Sequence, residues 1–169
     1  FLLFVIILLA LFLRLWGITA GLPYVKVHID ENGMINTALA LVPLKGALWT
    51  SGNGFLMPYL LFPVYAIFFL IGKLTGSFTS LESFLISYVS KTGNFILIGR
   101  LFNVALSMTT VYLAYRVARK WFDERVALAA SFFLAVSFIF VKESHYVKND
   151  VLVGLIVLLI FHFSCLLAK

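Results

Sequence analysis

Apolar runs close to the length of a bilayer, with nearly all the charge confined between them, limit this chain more than any other feature. A spanning helix needs ~20 apolar residues to cross ~30 Å of hydrocarbon. Residues 1–18, 95–115, 126–141 and 151–168 come near that length. The third run is short, but Trp121, Phe122 and Tyr146 can extend it at the interfaces. The expected fold is all-α, a polytopic transmembrane helical bundle. Composition agrees: 63% of residues are apolar, 12% are charged and the mean hydropathy is +1.07. An ordinary soluble domain carries about a quarter charged residues, and a disordered tail needs low hydrophobicity and high charge. Both are excluded. The single Cys165 excludes a disulfide framework and a Cys-based zinc site.

The sequence starts without Met and both starts and stops inside apolar runs, so it reads as the N-terminal part of a longer protein. Residues 1–13 have the length of a signal-peptide core. Arg14 and then Trp16-Gly17 follow, in place of a small-residue cleavage site, so a retained first helix is expected.

With charge so scarce, its positions set the topology. Arg116, Arg119, Lys120 and Arg125 place four cations in ten residues, whereas residues 19–94 hold four in about 75. Short loops rich in Lys and Arg stay in the cytoplasm, which puts 116–125 inside and both the 19–94 loop and the short loop at 142–150 outside. Parity then bears on a fifth apolar run, 55–72, which carries Pro58 and Pro63. If the run at 1–18 leads outward and that at 95–115 leads inward, 55–72 cannot cross once between them. It is expected to lie at the surface of one long external loop. Hydropathy by itself favours the opposite, a fifth crossing with the first helix reversed. The basic residues form no stripe with interleaved stacking aromatics, so no nucleic-acid partner is expected.

Two places bring ionisable groups to a membrane boundary. One is His28-Ile-Asp30-Glu31, about ten residues past the first apolar run; the other is the stretch Lys142-Glu143-Ser144-His145-Tyr146-Val-Lys148-Asn149-Asp150. Ionisable groups near hydrocarbon are costly and mark functional pathways. A carboxylate there can serve as a general base, and Lys or His can bind phosphate oxygens. The plainer alternatives are that Asp30 caps a helix beginning near Glu31 and that 142–150 is an ordinary wetted loop. Arg100 lies within an apolar helix, where it can snorkel or grip a carboxylate or phosphate with its planar fork. Arg14 invites the same two readings, and His162 reads as a packed helix residue.

In order along the chain, Leu13-Arg14-Leu15-Trp16-Gly17-Ile18, Gly21-Leu22-Pro23-Tyr24, His28-Ile-Asp30-Glu31, Asn53-Gly-Phe55-Leu-Met-Pro58-Tyr59-Leu60, Gly99-Arg100-Leu101-Phe102, Tyr115-Arg116 to Phe122, and Ser144-His145-Tyr146 with Asp150 resemble the start of the GT-C membrane glycosyltransferases. The closest type is that of the protein mannosyltransferases and aminoarabinose transferases. The chain departs from the pattern at Met57, where an aromatic is usual, and at Lys148-Asn149, where small residues are usual.

The resemblance implies an enzyme that takes a sugar from a polyprenyl-phosphate donor in the membrane. The acceptor is a hydroxyl on a lipid, glycan or protein, and transfer is inverting and extracytoplasmic. By the same resemblance Asp30 is the catalytic base and Glu31 its partner. Arg100, His145, Asp150, Lys142, Lys148 and His28 are the candidate substrate contacts, and neither metal nor cofactor is expected. The rival classes are a multi-pass transporter or flippase and a non-catalytic membrane subunit. Placing the acidic motifs in loops, away from the middle of a helix, favours the enzyme.

Overall fold

A computed structural model describes residues 1–22, 28–41 and 56–168. The Pro23-Tyr24 and Asn53-Gly54 matches lie outside those residues. Eight helices and no strand occur among the described residues: α1 (Leu2–Leu15), α2 (Ile29–Ala40), α3 (Leu56–Leu74), α4 (Leu81–Ser90), α5 (Thr92–Trp121), α6 (Glu124–Val136), α7 (Phe138–Ser144) and α8 (Asp150–Leu167). The all-α helical fold expected from the apolar runs is therefore the one observed.

Among the described residues, three helices are long and apolar enough to cross a membrane: α3, α5 and α8. A fourth crossing arises if α6 and α7, bent 56° at their junction, act as one span. The run expected to lie at the surface is thus, as α3, a continuous helix of spanning length. Pro58 falls in its first turn, where the missing N–H costs little, and Pro63 is carried inside the helix. The helix in 1–18 is shorter than its apolar run: the 14 residues of α1 rise about 21 Å.

The chain forms two compact units. One comprises Phe1–Ile18, Asn103–His145 and the residues from Asp150 on. Ile6, Ala10, Val111 and Ala135 form its centre, with Ile7, Met108, Leu128 and Leu134 against them. Alanine at positions 10 and 135 lets α1 and α6 approach closely, the usual device for helix packing in lipid.

Arg14 is fully buried in this unit. The bend after Val136 strands the last carbonyls of α6, which no following turn can satisfy. The Arg14 guanidinium supplies donors to two of them, Ala135 O at 2.9 Å and Leu134 O at 3.3 Å. It also donates to Ser107 Oγ at 2.6 Å and Ala10 O at 3.0 Å. The Phe140 ring centroid lies 5.8 Å from the guanidinium carbon. Arg14 therefore does not snorkel; it closes the break between α6 and α7. Arg14→Met leaves buried acceptors unpaired at roughly 1–3 kcal/mol each. It should lower the melting temperature of the purified protein, and Arg14→Lys, a point donor, should restore only part of the loss. An unchanged melting temperature for Arg14→Met would remove this role.

The other unit comprises the described residues of Thr19–Phe102 together with Tyr146–Asn149. Helix α2 packs on α3, burying Met34, Ile35, Ala38, Met57, Leu61 and Tyr65. Ser80 starts α4 with a capping box in which Ser83 returns the bond. That box turns Phe84 inward onto Phe68, Phe69, Phe78 and Phe95 at centroid distances of 5.1–5.8 Å. The capped start of α4 thus seals an aromatic core. Burial beside those rings pushes the Tyr88 phenol above its usual pKa.

Candidate functional site

The first ionisable cluster folds around the start of α2. Its cap is His28, two residues before the expected Asp30: His28 Nδ1 accepts the Asp30 N–H at 3.3 Å. The ring nitrogen is the acceptor in this cap. Asp30 and Glu31 then occupy the first turn, where negative charge complements the helix dipole. Consecutive positions on a helix point about 100° apart, and the two carboxylates separate accordingly. Asp30 stays 39% exposed, with Oδ2 3.8 Å from His28 Nδ1. Glu31 is 2% exposed.

Glu31 is held on every side. Arg100 Nε and Nη2 donate to Glu31 Oε1 and Oε2, each at 2.8 Å, the bidentate fork that guanidinium and carboxylate favour. The Val147 N–H donates to the same Oε1 at 3.2 Å. Arg100, 1% exposed, spends Nη1 on the Ala20 carbonyl at 3.0 Å. Its guanidinium carbon sits 5.5 Å from the centroid of Tyr146, whose ring lies 4.8 Å from that of His28. Of its two expected modes, Arg100 adopts the fork on a carboxylate.

Gly99 makes this possible. A Cβ there would lie 2.8 Å from Val147 Cγ2 and 3.0 Å from the Tyr65 hydroxyl, so only glycine lets α5 come this close to residues 146–147. The sequence carried a trace of this in the pair Gly99-Arg100. It carried none for the Val147 N–H and the Ala20 carbonyl, because backbone groups have no sequence signature. Tyr146 stood in the resemblance but was given no role.

Lys148 belongs to the same compact unit as Asp30. The other expected contacts of the second loop, Lys142, His145 and Asp150, fall in the first unit. Lys142 is 55% exposed and pairs with Glu143 at 3.3 Å. His145 caps the end of α7. Asp150 is exposed in the first turn of α8. Asn103 Nδ2 donates to the Glu143 carbonyl at 3.1 Å, fixing the end of α7 against α5. Among the described residues no group of three or more His, Cys, Asp or Glu is arranged to hold a metal ion.

Neither a curated protein nor a solved structure matches the chain. A family model does, over residues 81–169, described as dolichyl-phosphate-mannose-protein mannosyltransferase. The match takes in Arg100, the bent pair and the whole second loop, and begins downstream of the His28–Glu31 cluster. It covers more than half of the 169 residues. With an all-helical fold whose helices can span a membrane, the chain belongs to the dolichyl-phosphate-mannose-protein mannosyltransferase family of GT-C type membrane glycosyltransferases.

Proposed function

We propose that the protein transfers a sugar from a polyprenyl-phosphate donor to an acceptor hydroxyl at the extracytoplasmic face of the membrane, with inversion, and that Asp30 is the general base. The observation that carries this reading is the division of labour between two adjacent carboxylates. Glu31 is buried and saturated, whereas Asp30, fixed in the same helical turn, keeps an open oxygen.

In the reaction, Asp30 accepts the hydroxyl proton as the acceptor oxygen attacks the anomeric carbon. A carbon–oxygen bond forms on one face of the sugar while the bond to phosphate breaks on the other, and the electron pair leaves with the phosphate. Phosphate departs without a general acid, so cations are what the step needs, each worth roughly 10²–10³ in rate. Lys148, in the same unit as Asp30, is the first candidate. Lys142, exposed on the second loop, is the next, with His145 and Asp150 as substrate contacts. Arg100 and Glu31 act as positioning residues here, because the fork is already filled. His28 shapes the turn that presents Asp30.

The cation bias of the loops supports keeping 19–94, α3 included, on the outer side. The test is an assay of the full-length protein with a panel of polyprenyl-phosphate sugars and hydroxyl acceptors. One donor should be turned over with inversion at the anomeric carbon, and chelator should not slow it. Retention, or transfer from a nucleotide sugar only, would overturn the reading.

A further inference from the structure

A second polar site lies in the other compact unit, apart from the Asp30 cluster. A cavity of about 380 Å³ lies between the C-terminal half of α5 and α8, lined by Tyr112, Leu113, Arg116, Val117, Lys120, Leu159 and His162. We propose that it binds the phosphate of an anionic membrane lipid, with the headgroup on Arg116 and Lys120 and the upper acyl chain along Leu113, Val117 and Leu159.

Four observations support this. First, the lining holds two fixed cations and an imidazole but no carboxylate, so it carries positive charge with no internal counterion. Second, the nearest acidic residues in sequence are engaged elsewhere. Asp123 accepts the Val126 N–H at 2.8 Å as the cap of α6, and Glu124 faces Arg119 at 3.9 Å.

Third, Arg116 is pre-set. Its Nη1 donates to the Tyr112 hydroxyl at 2.9 Å, and its guanidinium carbon lies 5.8 Å from that ring's centroid. This uses one of the five guanidinium donors. Fourth, His162 keeps a buried Nδ1 that has no hydrogen-bond partner among the described residues. Buried polar atoms are rarely left so, and each such case calls for an explanation such as a missing ligand.

The half-apolar lining decides between a lipid and a free anion. Both walls belong to helices long and apolar enough to cross a membrane. Basic pockets between such helices, on the side with the cationic loop, are where anionic headgroups bind.

Native mass spectrometry of the full-length protein in mild detergent tests this, with phosphatidylglycerol, phosphatidylcholine and inorganic phosphate added separately. Phosphatidylglycerol should remain bound at collision energies that strip phosphatidylcholine. The double variant Arg116→Gln with Lys120→Gln should lower its retention at least tenfold. Lys120→Gln alone, at an exposed residue, should lower it severalfold and leave the melting temperature unchanged. Arg119→Gln with Arg125→Gln removes the same charge from the same loop outside the cavity and should leave retention as it was. Equal loss in both double variants would reduce the effect to bulk charge and overturn the site. So would equal retention of phosphatidylcholine. Displacement of phosphatidylglycerol by inorganic phosphate would make it a free-anion site instead.

Discussion

Asp30→Asn should abolish measurable sugar transfer while leaving the protein folded. An amide keeps the shape and the polarity but cannot take a proton, and loss of a positioned base costs roughly 10²–10⁴ in rate. The structural cost is small. Asp30 is partly exposed and makes no buried ion pair, and the first-turn charge it gives up is worth about 0.3–1 kcal/mol. Donor affinity should change little, so the loss should appear in kcat with KM nearly unchanged. Turnover at the parent rate would end the assignment of Asp30 as base. A matching fall in melting temperature would move the residue from chemistry to architecture.

The second large effect belongs to Glu31 and Arg100, and it is expected in the opposite place. Each is buried and hydrogen-bonded on several sides. Glu31→Gln or Arg100→Met should therefore cost roughly 3–5 kcal/mol, because the surviving charge is left buried without its partner. Removing both charges together, as Glu31→Leu with Arg100→Met, should recover a large part of that stability, since the desolvation penalty leaves with the pair. The double-mutant cycle, closed with Glu31→Leu as the single variant, should show a coupling of about 3 kcal/mol or more, at or above the top of the range for residues in contact. A direct phosphate contact by Arg100 predicts a different pattern. The double variant would then be stable yet show a sharply raised KM for donor, whereas a positioning role predicts a loss mainly in kcat. Denaturation of the purified variants and steady-state kinetics with donor varied separate the two.

The helical membrane class was legible because hydropathy acts over whole segments and needs no tertiary detail. Individual segments were legible only where one local force ruled. The 126–141 run reads as a single span since it has no Pro or Gly, yet the helix breaks after Val136. The physical counterpart of that break is Arg14, 121 residues away from Ala135, whose guanidinium takes up the stranded carbonyls. Such a long-range partner leaves no mark in the local pattern. The α2 cap illustrates the converse error. Asp is the stronger capping residue by propensity, but His28 Nδ1 fills the role and Asp30 moves into the first turn. At the site itself, the sequence could nominate Arg100 for either a carboxylate or a phosphate. The choice was settled by which carboxylate became buried opposite it, and α2, α5 and Tyr146–Val147 define that jointly.

The clamp on Glu31 also fixes an order of events during synthesis. Its partners lie 69 residues downstream at Arg100 and 116 downstream at Val147. A chain emerging N-terminus first exposes the acidic motif long before either exists. Until α5 arrives, Glu31 has no fork to enter, and until residue 147 follows α7, its third hydrogen bond, from the Val147 N–H, cannot close. The loop that presents Asp30 is therefore the last part of this region to set, although it is among the first to be made. Nascent chains arrested before residue 147 should leave that loop open to protease, whereas chains extended past it should protect it.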